Sequence, residues 1–156
     1  MEGKRVSDSI TEQVQIIMPS HGNGADRLFG GQLVEWIDVV AAVVARRHSG
    51  CNVTTAAIDN LQFKAGAYMN NTLVLIGRIT YVGNTSMEIR VDTYVEDLSG
   101  IRKVVNRAYL VMVALDESEQ PAQVPKLILE NDWERAEWEA GKRRHALRSK
   151  RRKEGY

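Results

Sequence analysis

Between Gly31 and Arg47 the chain reads "GQLVEWIDVVAAVVARR", and this stretch restricts the fold more than any other. Leu33, Ile37, Val40 and Val44 recur at helical spacing. Val39, Ala41, Ala42, Val43 and Ala45 carry the apolar surface nearly all the way round. Such a helix has to be enclosed by other elements. Arg46, Arg47 and His48 complement the negative end of the helix dipole, and Gly50 is a plausible stop. One residue conflicts with burial: the carboxylate of Asp38, in the middle of the segment.

The flanking segments say what encloses it. "ITEQVQIIM", from Ile10 to Met18, predicts a short strand with Ile10, Val14 and Ile16 in loose alternation, stopped by Pro19. After the helix, residues 52–63, 72–82, 86–96 and 102–115 predict four strands with no helix between them. In "SMEIRVDTYVE" (Ser86 to Glu96), Met87, Ile89, Val91, Thr93 and Val95 face one way, while Glu88, Arg90, Asp92 and Glu96 face the other. That is the pattern of a half-solvated antiparallel strand. The order implies an α+β fold with an antiparallel sheet curved around one long central helix. Asn131 reads as the N-cap of a final helix, with Glu134 as the reciprocal member of a capping box. We divide the chain into a domain over 1–130 and a C-terminal helix with basic tail over 131–156.

The net charge is +1, but segment 142–154 holds eight Lys/Arg against one Glu, a net of +7, so the remainder is −6. The tail reads as a solvated helix end or arm; its other use is to attract a polyanion. No base-reading motif accompanies it, so no nucleic acid is expected. A single cysteine, Cys51, allows no intrachain disulfide framework and no cysteine-based zinc site, and fits a reducing compartment. The start "MEGKRVSDSITEQ" has no apolar signal-peptide core, and no run of about 18 apolar residues exists to span a membrane. A cytoplasmic protein without membrane insertion is expected.

Asp38 has Val34, Glu35, Ala41 and Ala42 one turn away on its own face, with Ala45 beyond. The alanines leave space for a pocket. A buried carboxylate needs a partner, a raised pKa or an active-site role; alternatively this strip of the helix is exposed. Gly30 and Gly31 stand where the helix begins, so its free N–H groups could polarise a carbonyl, or the pair could simply turn the chain. Asn23 is either a turn residue or an amide donor to substrate. Asp59 falls in alternation with Val53, Thr55, Ala57, Leu61 and Phe63, an apolar face on which it needs a hydrogen-bonding partner. Gly-x-Ser-x-Gly, HExxH and the dinucleotide-binding glycine fingerprint are all absent.

Five blocks in order, "MPSHGN…LFGGQLVEWID", "VTTAAIDNLQF", "YVGNTSMEIRV", "VALDESEQPAQVP" and the charged C-terminal helix, give the chain its resemblance to the hot-dog-fold acyl-CoA thioesterases, the cytosolic acyl-CoA hydrolase group. The Asn23-to-Asp38 separation of 15 residues matches the family pattern. The chain departs from it at Asp26, where the family usually has glycine, at His21, and in "KAGAYMNN" after Phe63. The resemblance implies a hot-dog fold and hydrolysis of medium- and long-chain fatty acyl-CoA without metal or redox cofactor. Asp38 would be general base or nucleophile, Asn23 the orienter and the Gly31 N–H the polarising donor. Gly30, Lys64 and the turn Gly83, Asn84, Thr85 and Ser86 would contact CoA, and the basic tail could attract its nucleotide. It further implies a homodimer with composite sites, with Asn23 offered to one and Gly31 and Asp38 to the other, assembled as a trimer of dimers. Two rivals use the same fold: an acyl-thioester dehydratase, for which His21 would join the carboxylate, and a non-catalytic acyl-CoA sensor.

Overall fold

The computed structural model describes residues 1–156, the side chain of Asn60 excepted. In chain order the elements are β1 (Lys4–Arg5), β2 (Thr11–Ile16), α1 (Gly30–Ser49), β3 (Asn52–Phe63), β4 (Thr72–Val82), β5 (Ser86–Glu96), β6 (Arg102–Leu115), β7 (Leu127–Ile128) and α2 (Asp132–Lys153). Five strands form one antiparallel sheet in the order β2-β4-β5-β6-β3, while β1 and β7 make a short parallel pair. Helix α1 ends at Gly50 in the left-handed conformation, φ 68°, as its sequence suggests.

The core lies between α1 and the concave side of the sheet. Leu33, Ile37, Val40, Ala41, Val44 and Ala45 pack against strand residues that include Leu75, Ile79, Ile89, Leu110 and Met112, all buried. Gly77 allows the closest approach: a Cβ there would lie 2.7 Å from Val40 Cγ1 and 3.0 Å from Val44 Cγ2. The sheet wraps only one side of the helix. Val39 stays 49% exposed, and Val34, Asp38, Ala42 and Val43 are only partly covered. Full enclosure, expected from the sequence, is therefore not reached within one chain.

Two alternation patterns need correction. In β2 the apolar residues point away from the core: Val14 is 57% exposed and Ile16 49%, while Thr11 is buried. In β5 the polar face is not solvated. Glu88 and Asp92 are buried beneath α2, which lies across the convex side of the sheet. Glu88 accepts two hydrogen bonds from Arg144 (3.0 and 2.8 Å), one from Arg148 (3.0 Å) and one from Thr80 Oγ1 (2.7 Å). Arg90 bonds Asp92 at 2.9 Å and Glu137 at 3.2 Å. The basic tail is thus not a disordered arm: it is helical to Lys153, Arg144 and Arg148 on its inner face are the counter-charges of buried Glu88, and residues 150–156 form the solvated end. The Asn131 cap forms as expected, with its side chain accepting from Glu134 N at 2.8 Å. The Glu134 carboxylate accepts from Glu130 N at 2.9 Å and from the Asn131 side-chain amide at 3.2 Å, in place of the Asn131 backbone N–H.

Gly141 is where α2 meets the sheet. A Cβ there would stand 2.7 Å from Tyr81 Cβ and 2.9 Å from Glu88 Oε1. Gly141→Ala gains up to about 1 kcal/mol of helix propensity but has to lift the helix, at a cost of about 1–3 kcal/mol. We expect net destabilisation, read as a lower urea midpoint; a higher midpoint would show that the crossing is loose.

His48 is fully buried, and its Nε2 donates to Pro125 O at 2.8 Å, tying the segment before β7 to the end of α1. Burial lowers its pKa, outweighing the Pro125 bond. The unfolded chain therefore binds a proton that the native state refuses, and stability should fall as pH drops below about 6.5. Urea titrations at pH 7.5 and 5.5 check this: the difference should shrink in His48→Gln, and an unchanged difference would clear His48 of the effect.

Strand β3 carries two irregularities, between Thr55 and Ala57 and between Asp59 and Gln62. Thr55 pairs with Met112 on the α1 side, but Ala57 and Asp59 pair with Val111 and Tyr109 on the α2 side. The extra residue, Ala56, reverses the alternation. Asp59 therefore does not share a face with Thr55; among its partners are two arginines of α2, Arg151 at 2.9 Å and Arg148 at 3.6 Å.

Candidate active site

The loop before α1 is held by its own polar groups. His21 Nδ1 accepts from Met18 N at 2.9 Å, and its ring meets Trp36 edge-on at 4.9 Å between centroids. Through Nδ1 and its ring face His21 is held by the loop and Trp36, and it makes no hydrogen bond to Asp38 of the same chain among the described residues. Asn23 Oδ1 accepts from Ala25 N at 3.0 Å, closing an Asx turn that leaves its amide nitrogen available. Asp26, standing where the family usually has glycine, has φ +58°. The position needs the left-handed region, which Asp tolerates better than most side chains.

Phe29 precedes α1 without capping it by its side chain, and its carbonyl accepts from Gln32 and Leu33. The first amides, Gly30 and Gly31, belong to the helix end that carries partial positive charge. Asn23, Gly30 and Lys64 line one cavity of about 420 Å³ with Arg27, Leu33 and Phe63. Lys64 and Gly30 therefore sit with Asn23, apart from the other expected CoA contacts, Gly83 to Ser86, of the same chain.

Asp38 lies two turns beyond Gly31, roughly 10 Å along the axis. Its Oδ1 accepts a 2.6 Å hydrogen bond from Thr55 Oγ1 on β3. Thr55 also approaches Met112 Sδ at 3.4 Å. The pair sits on the partly covered flank of α1, close to exposed Val39 and Ile58, beside β3, which pairs with β6 on one side and has no strand neighbour on its outer side in this chain. Grouping Gly31 with Asp38 of the same protomer is not supported. One carbonyl cannot lie within about 3 Å of both. The acyl pocket expected beside Ala41, Ala42 and Ala45 is also not open, because Ala41 and Ala45 are fully buried against the sheet.

Thr55 is the site residue that sequence reasoning missed. It reads as one more β-branched strand residue in "NVTTAAIDN"; its placement 17 residues after Asp38 has meaning only once α1 and β3 are adjacent.

A larger cavity, about 810 Å³, lies on the convex side. The β4–β5 turn, Gly83, Asn84, Thr85 and Ser86, forms one wall, α2 with His145, Arg148, Arg151 and Arg152 another, and Ala56 to Asp59 of β3 a third. Its size suits a small-molecule ligand. The irregularity at Ala56 brings this cavity to the residue next to Thr55.

The thioesterase superfamily profile matches residues 26–100. The chain is 36% identical to an uncharacterised acyl-CoA thioester hydrolase of Zymomonas mobilis, over 72% of its own length and 76% of the relative's. It belongs to the acyl-CoA thioester hydrolase family. Its architecture, a curled sheet on a long helix, is the hot-dog fold. This thioesterase-family chain is also 30% identical to mouse acetyl-coenzyme A thioesterase, covering 89% of itself but 24% of that protein, so it spans about a quarter of the relative's length. With the rat cytosolic acyl coenzyme A thioester hydrolase it shares 31% identity over 99% of its own length and 41% of the relative's.

Among solved structures, a Staphylococcus aureus acyl-CoA hydrolase in complex with butyryl-CoA, CoA and CoA disulfide superposes with a TM-score of 0.92 at 30% identity, over 97% of this thioesterase-family chain and 93% of that one. A hexameric acyl-CoA thioesterase without ligand gives 0.92 at 34%, over 97% of each. The S. aureus protein has also been solved with an Asn, an Asp and a Thr each replaced by Ala, the Asp 15 residues after the Asn and the Thr 17 after the Asp. Asn23, Asp38 and Thr55 have the same spacing.

Proposed function

We propose that this protein hydrolyses medium- and long-chain fatty acyl-CoA to free acid and CoA, at a site completed by a second protomer and without metal or redox cofactor. The observation that carries the proposal is the Asp38–Thr55 hydrogen bond, 2.6 Å, on an apolar flank left half covered. Thr55 holds one carboxylate oxygen and leaves the other to act. Asp38 either takes a proton from water as it attacks the thioester carbon or attacks that carbon itself. The C–S bond then breaks and CoA leaves as the thiolate, which takes up the proton held by Asp38 in the first case; in the second, water hydrolyses the mixed anhydride left on Asp38 to free acid and the restored carboxylate. Gly31 stands roughly 10 Å along α1 from Asp38 of the same chain, and Asn23 lines a cavity with Gly30 at that end of the helix, so both belong to the site that receives the partner's Asp38. There Asn23 orients the reactants and the Gly31 N–H polarises the carbonyl.

Three further features support the reading. A partner on this flank would cover Val39 and Ile58 and pair the free edge of β3. The convex cavity offers Gly83 to Ser86 and a row of arginines to the CoA nucleotide, and its wall reaches Ala56, next to Thr55. The exposed apolar side chains Phe29, Val39, Ile58 and Phe63 suit a fatty acyl chain. Assembly as a trimer of dimers is supported by the hexameric relative, and cytoplasmic residence by the cytosolic one; no described helix is long and apolar enough to cross a membrane.

Release of free thiol from acyl-CoA of graded chain length is the test. Binding of palmitoyl-CoA without thiol release would leave the non-catalytic sensor. Activity confined to acetyl- and butyryl-CoA would refute the chain-length part alone. The shared site has its own test: mixing Asp38→Asn with Asn23→Ala protomers should restore about a quarter of wild-type activity, since half the dimers are mixed and each holds one intact site. No restoration after exchange would place both residues in one protomer's site.

A further inference from the structure

The convex cavity holds more positive charge than the fold uses. Glu88 pairs with Arg144 and Arg148, Asp59 with Arg148 and Arg151, and the charge of Glu137 also acts on Arg144. Glu88 is buried and fully engaged by Arg144, Arg148 and Thr80, so its bonds hold α2 in place. Asp59 differs. Its bond to Arg151 lies at the cavity wall, where the Arg151 side chain is 47% exposed. Arg152 donates to the Ser149 hydroxyl and also lines the cavity. Asp59 itself is only 17% exposed, but the Arg151 end of the pair is open to solvent, where an ion pair contributes about 1 kcal/mol, so a more highly charged anion can displace it. His145, on the same wall, is held below its ordinary pKa by burial and then by Arg148 and Arg152, as expected where positive potential gathers.

We propose that Asp59 is a resident counter-anion of this cavity: it holds Arg151 and Arg148 in position while the site is empty and yields Arg151, together with Arg152, to a phosphate of the substrate's nucleotide end. This rests on the acyl-CoA reading above and assigns Asp59 the part of a positioning residue that sets how tightly the phosphates bind. The pairing keeps the guanidinium groups ordered and limits product retention, because bound CoA must compete with an intramolecular carboxylate.

The experiment compares wild type, Asp59→Asn and the double variant Arg151→Gln/Arg152→Gln on palmitoyl-CoA and palmitoyl-pantetheine, which lacks the phosphates. Binding of adenosine 3′,5′-bisphosphate is measured alongside by calorimetry. Removing the competing charge should lower KM for palmitoyl-CoA and the bisphosphate Kd about two- to fivefold, the scale of one exposed charge pair. The ratio of kcat/KM for the CoA ester to that for the pantetheine ester should rise. In the double variant that ratio should fall about tenfold or more, with the loss in KM. A folding defect moves both substrates together and leaves the ratio alone. An unchanged or lowered ratio in Asp59→Asn overturns the proposal even if the wild type is a good hydrolase. If the wild type releases no CoA while Asp59→Asn still tightens the bisphosphate, the acyl-CoA hydrolase reading fails and the counter-anion stands.

Discussion

Asp38→Asn should lower kcat for acyl-CoA hydrolysis by about 10²–10⁴, the range for loss of a positioned base, while the protein keeps its fold. Asn has the same shape, and its amide oxygen can still accept the 2.6 Å bond from Thr55 Oγ1. What disappears is the anionic oxygen that Thr55 leaves available. Asp38 also lies on a partly covered flank and not in the core, so its replacement leaves no buried charge unpaired. Thiol release and a thermal melt on the same preparation check both halves. Full activity would show that the carboxylate is structural. A collapse of Tm would show that the Thr55 bond matters to the fold and would void the catalytic interpretation.

The largest expected loss of stability comes from Glu88. Its side chain is 1% exposed, and those of Arg144 and Arg148 are 17% and 11% exposed. Glu88→Gln keeps the volume but strands two guanidinium groups in a place water hardly reaches. Breaking a buried pair in this way costs about 3–5 kcal/mol. Burial raises the carboxyl's pKa, but the bonds from Arg144 and Thr80 and the charge of Arg148 prevail and hold it below its ordinary range. Its stabilisation is therefore complete above about pH 4.3 and is lost as pH falls through that value towards the native pKa. The variant should lose this acid-sensitive part of its stability, and α2 should detach. Trypsin reads that detachment, because segment 142–154 is rich in cleavage sites once exposed. Protease resistance and Tm equal to wild type would refute Glu88 as the anchor. Replacing Glu88, Arg144 and Arg148 together by Leu should recover much of the stability, while the cavity beside them loses part of its charge.

Most of the local structure could be read directly. The bounds of β4, β5 and β6 coincide with those expected from alternation and turns, because a half-buried strand needs period two and a reversal needs its turn residues. The all-round apolar helix and the Asn131 cap were legible from local spacing as well. Hidden from the sequence were the bulge at Ala56, which moves Asp59 to the α2 side, and the contact of Thr55 with Asp38. A one-residue insertion into a ladder leaves no periodic signature in a strand as mixed as "NVTTAAIDN". Burial of the Glu88 face was equally hidden, since a polar strand face reads alike under water and under an arginine-rich helix.

Element types, their order and the need to enclose α1 thus follow from the sequence alone, because they depend on side chains spaced along a single strand or helix. The tertiary structure decided which charges are buried and which carboxylate holds which arginine. It also decided that Asn23 and Asp38 lie at different places on one protomer. Those outcomes depend on the distance between residues far apart in sequence, and on a balance of desolvation and ion pairing that exists only once the sheet and both helices are packed.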